Sequence, residues 1–355
     1  MMKTLKLISV PIIIPMIIFG LFSSSSFFPK PPVKMNDSLI PGLNTWKEVH
    51  HVITDKEVTV RGFKENHPKE PAAFYYNGYY YVAVAVWNKY GGGFAPKGSR
   101  VTDKEVVLLC SKSWKGPFTQ ISQVTENPGT YMHTPGIYID QNDELYVFFS
   151  DKSGGGNDIH LKHAPVNNIP ESPSDWIDEG VVLSGEEYRD PCFIRGPNGK
   201  NYLFVTDGSL VGSPVSRFES DNMENWSNKV ENIYDQSNRS NEGVDFVPKG
   251  NDKGYWLITI DGAGKNLYGI AGESENLLAP KFKGKYRVSG SGVLNGKKRS
   301  WYSKWAAHFD YVYESGKMNI HQDEEHHIAF FEAGNGTEFS VGVANASLKG
   351  SRKAE

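Results

Sequence analysis

Three carboxylates and a few histidines stand out by their place in the chain. Glu70, Asp190 and Glu242 each precede a short apolar run, and so do His133-Thr134 and His308. Asp190 belongs to Tyr188-Arg189-Asp190-Pro191, ahead of Cys192-Phe193-Ile194 and a returning run Tyr202-Leu203-Phe204-Val205. Proline has no N–H to give a ladder and belongs at a strand start or an edge, so this Asp stands at the mouth of a strand. Three carboxylates brought together there would suit the cleavage of a glycosidic bond. One protonates the leaving oxygen and a second activates water or attacks the sugar carbon. The third raises the acid's pKa by like-charge repulsion. Arg189 could hold a substrate oxygen or orient a carboxylate. Trp87 and Tyr188, near strand mouths, could lie against a sugar ring.

A repeat positions these residues. Glu70, Thr134, Asp190, Glu242 and His308 each lead a strand-like run, a turn and a second run. The turns fall at Gly78, Asp143, Gly199, Gly254 and Gly316, or 8, 9, 9, 12 and 8 residues later. The leading residues are spaced by 64, 56, 52 and 66 positions. Each interval has room for about four short strands, which predicts an all-β, five-bladed β-propeller. A β-sandwich or jelly roll is the alternative, against which the five matching phrases argue. In a propeller the starts of the innermost strands converge on one mouth of the axis, so the five leading residues are expected to meet. The strand that closes the ring stays open between residues 45–60 and 338–344. Echoes at Trp87-Asn88, Ser150-Asp151, Asp207-Gly208 and Asp261-Gly262 read as structural turns.

The rest of the chain sets bounds. Its 355 residues carry a net charge of −3, so no basic footprint suggests a nucleic-acid partner. Tyr 18, Phe 19, Trp 8 and Gly 36 suit both an all-β protein and a sugar cleft. Cys110 and Cys192 lie in apolar runs and read as buried free thiols, without zinc-type spacing. A basic start, an apolar stretch from Leu7 to Phe22 and four serines make residues 1–26 a signal peptide or N-terminal anchor. A linker over 27–38 and one propeller domain over 39–355 come next. That order implies a secreted or periplasmic protein with no further membrane contact. Gly91-Gly92-Gly93 and Gly154-Gly155-Gly156 lack the strand-to-helix context of a phosphate loop and read as flexible loops. Asp323-Glu324-Glu325-His326-His327 reads as a solvated turn.

Over roughly residues 60–330 the chain resembles the five-bladed propeller glycosidases of family 43 and their relatives in families 32, 62 and 117. Lys69-Glu70-Pro71 is similar to the family 43 blade-one Asp-Pro phrase, Arg189-Asp190-Pro191 to the blade-three phrase, and Asn241-Glu242-Gly243 to the blade-four Glu-Gly-Pro. Glu70 replaces the family's Asp, and Val244 its Pro. The resemblance implies a carbohydrate substrate from plant or algal polysaccharide, cleaved with inversion. Glu242 would be the acid, Glu70 the base and Asp190 the residue that tunes the acid. It requires no cofactor. A structural Ca²⁺ near His308 is compatible with the family. Two alternatives stay open: a family 117-like anhydrogalactosidase with His133 or His308 as acid, and a non-catalytic glycan-binding propeller.

Overall fold

Strand β1 (Trp46–Ile53) comes first. Strands β2 (Asn66–Tyr76), β3 (Tyr79–Asn88), β4 (Lys104–Ser111) and β5 (Thr119–Gln123) then form an antiparallel sheet in chain order. The pattern repeats in β6 (His133–Ile139), β7 (Glu144–Asp151), β8 (Asp158–Pro165) and β9 (Ile177–Leu183). It repeats again in β10 (Tyr188–Arg195), β11 (Asn201–Asp207), β12 (Val215–Ser220) and β13 (Ser227–Tyr234). Strands β14 (Ser240–Gly250), β15 (Lys253–Gly262), β16 (Asn266–Ser274) and β17 (Lys283–Arg287) pair in order. Strands β18 (Trp305–Tyr311), β19 (Tyr313–Glu314), β20 (Gln322–Asp323), β21 (His326–Gly334) and β22 (Phe339–Ser347) end the chain. Among the described residues there is no α-helix, only three single 3-10 turns.

This is a computed structural model. It describes residues 46–347 apart from 89–103, 127–132, 152–157, 186, 197, 209–213, 235–239, 251–252, 263–265, 275–282, 288–293, 295–298, 304, 315–320, 324–325 and 336–337. Side chains are described throughout this set except at 133, 228, 232–242, 246–287, 305, 322, 323, 326, 346 and 347. The signal or anchor, the linker and both triple-glycine loops lie outside it. None of the described helices is long and apolar enough to cross a membrane.

The sheets stand in a propeller arrangement, and burial explains why. Every residue from Val82 to Val86 is fully buried, although a sheet with one wet face would alternate. Alternation persists in a different form. Ala83, Val106 and Leu108 pack toward β6 and β7 with Ile137 and Val147. Val82, Val84, Val107 and Leu109 pack the other way, onto Ile328, Phe330, Val341 and Val343. One sheet therefore feeds two cores, one on each face.

Hydrogen bonding divides the strands into four sheets where the sequence predicts five. The largest has nine strands and contains the β14–β17 set and a second set of β1, β22, β21 and β18. A single parallel pairing, Tyr268 with Ala306, joins the two. The ring-closing strand is supplied by both candidates at once, since β1 pairs antiparallel with β22 from Trp46–Ala346 to Ile53–Val341.

Candidate active site

The five leading residues share a backbone irregularity. Each innermost strand has a register shift where its leading residue sits. The shifts fall between Lys69 and Ala72, His133 and Gly136, Arg189 and Cys192, Asn241 and Val244, and Ala307 and Asp310. A bulge leaves a residue unpaired and re-aims its side chain. Glu70, Asp190 and His308 also have φ of 52°, 54° and 47°. The left-handed region disfavours residues with a Cβ, and such strain gathers at functional sites.

The bulges bring Glu70 and Asp190 into one buried set. Glu70 accepts the Thr134 N–H at 3.0 Å on Oε2 and takes the Lys69 ammonium at 2.5 Å on Oε1. The Thr134 hydroxyl donates to Asp190 Oδ1. Asp190 Oδ2 accepts the Gly243 N–H at 2.9 Å, directly after Glu242. Asp190 thus holds the backbone of the neighbouring leading strand. Glu242 itself is on the β14 bulge, and its side chain, like that of His133, lies outside the described residues.

His308 is buried, with Nε2 3.8 Å from Glu332 Oε2. A Cβ on Gly243, which has φ of 85°, would meet His308 Nδ1 at 2.6 Å. Only glycine allows that approach.

Further round the axis the same tie recurs. Asp245 Oδ2 accepts the Tyr311 N–H at 2.9 Å, and its Oδ1 takes the Tyr313 hydroxyl at 2.9 Å. Asp310 accepts the Ala73 N–H. Burial, then the Asp245 charge, pushes the Asp310 carboxyl well above its ordinary range. The side-chain bonds run β2 to β6 to β10 to β14 to β18 and back to β2. They form a closed belt.

Three residues to which the sequence assigned no role complete the site. Lys69 Nζ lies 3.6 Å from Glu332 Oε2 as well as against Glu70. Lys104 is 1 % exposed. The ammoniums of Lys69 and Lys104 stand 4.0 and 3.8 Å from the Trp87 ring centre. A Glu inside the apolar run from Ile328 to Ala333 was the available signal, because a strand covered on both faces must bury it.

Trp87 is half-buried beneath those lysines, and Phe339 packs beside it at 5.5 Å. Tyr188 is buried in the hydrophobic core, edge-on to Phe218 at 5.4 Å. Arg189 is half-buried, and a Cβ on Gly208 would meet its guanidinium at 3.0 Å. Neither cysteine is in a disulfide; Cys192 is buried, whereas Cys110 is only half-buried. His327, from the Asp323–His327 run, is buried rather than solvated and meets Tyr311 edge-on at 6.3 Å.

Glu70, His308 and Glu332 offer ligand atoms within 4.8 Å of one another. The Lys69 ammonium already lies against both of these carboxylates and would repel a divalent ion placed between them, so the arrangement does not fit one. The axial cavity below, reached by Thr134, Asp190, Gly243 and His308, measures about 40 Å³.

No protein-family model matches the chain, and no curated protein does. Solved structures do. The catalytic domain of a family 62 α-L-arabinofuranosidase from Coprinopsis cinerea superposes with a TM-score of 0.58 at 11 % identity, over 85 % of this chain and 98 % of that one. A β-1,2-mannobiose phosphorylase from Listeria innocua gives 0.61 at 12 %, over 85 % and 97 %. A family 43 β-xylosidase/α-arabinofuranosidase from a compost metagenome gives 0.58 at 14 %, over 83 % and 95 %. At such identities the likeness shows a shared fold: the chain has the β-propeller fold found in these sugar-active enzymes.

Proposed function

We propose that the chain is a glycoside hydrolase acting on plant or algal polysaccharide fragments. The observation that carries this reading is the line from Glu70 through Thr134 and Asp190 to the backbone beside Glu242. It links the three positions the chemistry needs. Glu70, paired with Lys69 and accepting the Thr134 N–H, is the base that takes a proton from water. Asp190 acts on its neighbour by charge and by fixing Gly243. Glu242 is the acid, and attack by water across the ring inverts the anomeric centre. We also read the nine-stranded sheet as two blades, which makes the propeller five-bladed. The first 26 residues support export.

A second reading is favoured by His308, whose imidazole faces Glu332. On this reading His308 is the acid. A reducing-sugar screen over arabinans, xylans, fructans, agars and carrageenans tests the class. On the substrate it finds, Glu242→Gln lowers kcat by roughly 10²–10⁴-fold if Glu242 is the acid. Unchanged turnover in that variant, with loss in His308→Gln, transfers the role to His308. Glycan-array binding without product from any substrate would make the chain a non-catalytic binder.

A further inference from the structure

Lys104 opens β4 directly opposite Trp87 on β3, so the two side chains share a face of the sheet. That register lays the ammonium on the indole at 3.8 Å. An ammonium buried this completely is rare unless anions face it. The groups facing Lys104 come from three other strands: Glu70 and Lys69 on β2, Asp190 on β10 and Glu332 on β21. On its own strand Glu105 is buried and accepts the Thr125 hydroxyl. Lys69 is in contact with Glu70 and Glu332. Lys104 adds a second positive charge, and its field reaches all three carboxylates, Asp190 included.

We propose that Lys104 is a positioning residue whose ammonium offsets the buried negative charge of Glu70, Asp190 and Glu332 and thereby sets the alkaline limit of the site's activity. Its ammonium acts through Glu70 and Asp190 and need not touch the sugar. Burial pulls its pKa from 10.5 down to about 7, against the opposing pull of Glu70 and the other carboxylates. Above that pH the site loses one positive charge. The repulsion among the three carboxylates that Lys104 had offset then acts against the arrangement of Glu70 and Asp190.

The inference rests on the hydrolase reading for its kinetic part only. In the full-length protein, the rate falls on the alkaline side with a midpoint near pH 7. Lys104→Met at pH 6 has the low rate that the parent shows at pH 9, roughly tenfold down, and no step between. Lys104→Arg rescues the rate at pH 6 and keeps it through pH 9, because a guanidinium does not lose its proton there. An alkaline limb that stays near pH 7 in Lys104→Arg belongs to the acid and overturns the proposal.

A second readout needs no substrate. The Trp87 indole resonance, assigned with Trp87→Phe, titrates near pH 7 in the parent and in no Lys104 variant. No titration between pH 5 and 9 overturns the proposal. If no glycan is cleaved, the hydrolase reading fails while the indole still decides on Lys104.

Discussion

Glu70, Asp190 and His308 each hold a left-handed backbone that costs about 1–2 kcal/mol. Their strand mates in β14 solve the same bend with Gly243. This difference makes position 243 the sharpest single test of the site. Gly243→Ala places a methyl into the His308 ring and strains a φ of 85°. We expect a loss of about 1–3 kcal/mol in thermal unfolding and at least a tenfold drop in kcat, with KM little changed. A variant of unaltered kcat would show that His308 need not be where it is. At this scale the sequence was informative about the leading residues, because proline and glycine after an acidic residue mark a strand mouth. It was silent on Lys104, whose place depends on the register between β3 and β4. Tyr188, which precedes Asp190 in the chain, turns into the core.

Strands were legible for a related reason. Apolar runs without strict alternation, bounded by Asn-Gly and similar turns, specify sheets covered on both faces. The turn residues behave as read: Asn77 and Gly78 both have positive φ, at 47° and 83°, and so link β2 to β3 by a tight hairpin. The division into sheets was less legible. One backbone pairing between β16 and β18 fuses two sets, and a single pairing has no signature in composition. The clasp of β1 on β22 was visible only as two unassigned strands. Trp46 anchors that clasp, stacked on Phe309 at 5.2 Å and 16°. Trp46→Ala should cost about 3–5 kcal/mol in chemical unfolding. Phe309 follows His308, so the same variant should weaken turnover before the fold melts. A loss below about 1 kcal/mol would mean that the clasp contributes little.

In the whole molecule, the belt of side-chain bonds ties each innermost strand to the next. Its last tie, Asp310 to Ala73, joins the end of the chain back to the first sheet. The Asp310 carboxyl titrates above its unfolded value, so the native state binds its proton more tightly. Its contribution is therefore full below about pH 4 and is lost as pH rises toward the folded pKa. Asp310→Asn keeps an oxygen for Ala73 and removes the titration. Its stability relative to the parent should grow as pH is raised from 4 to 8, read by unfolding at each pH. A constant difference would remove Asp310 from the pH dependence.

The pairing of β1 with β22 also has a timetable. Glu48 N–H donates to the Asn345 side chain 297 residues away. A ribosome adding about 5–20 residues per second makes that wait roughly 15–60 s. Throughout it, Trp46, Val49, Val52 and Ile53 have been made and their partner strand has not. The face of Val82, Val84, Val107 and Leu109 waits as well, since Ile328 and Phe330 are also late. A nascent chain halted before β22 is thus an open arc with two apolar ends, each fitted to bind the other. At high expression the neighbouring nascent chain offers the same ends, and dimer-by-exchange competes with the ring.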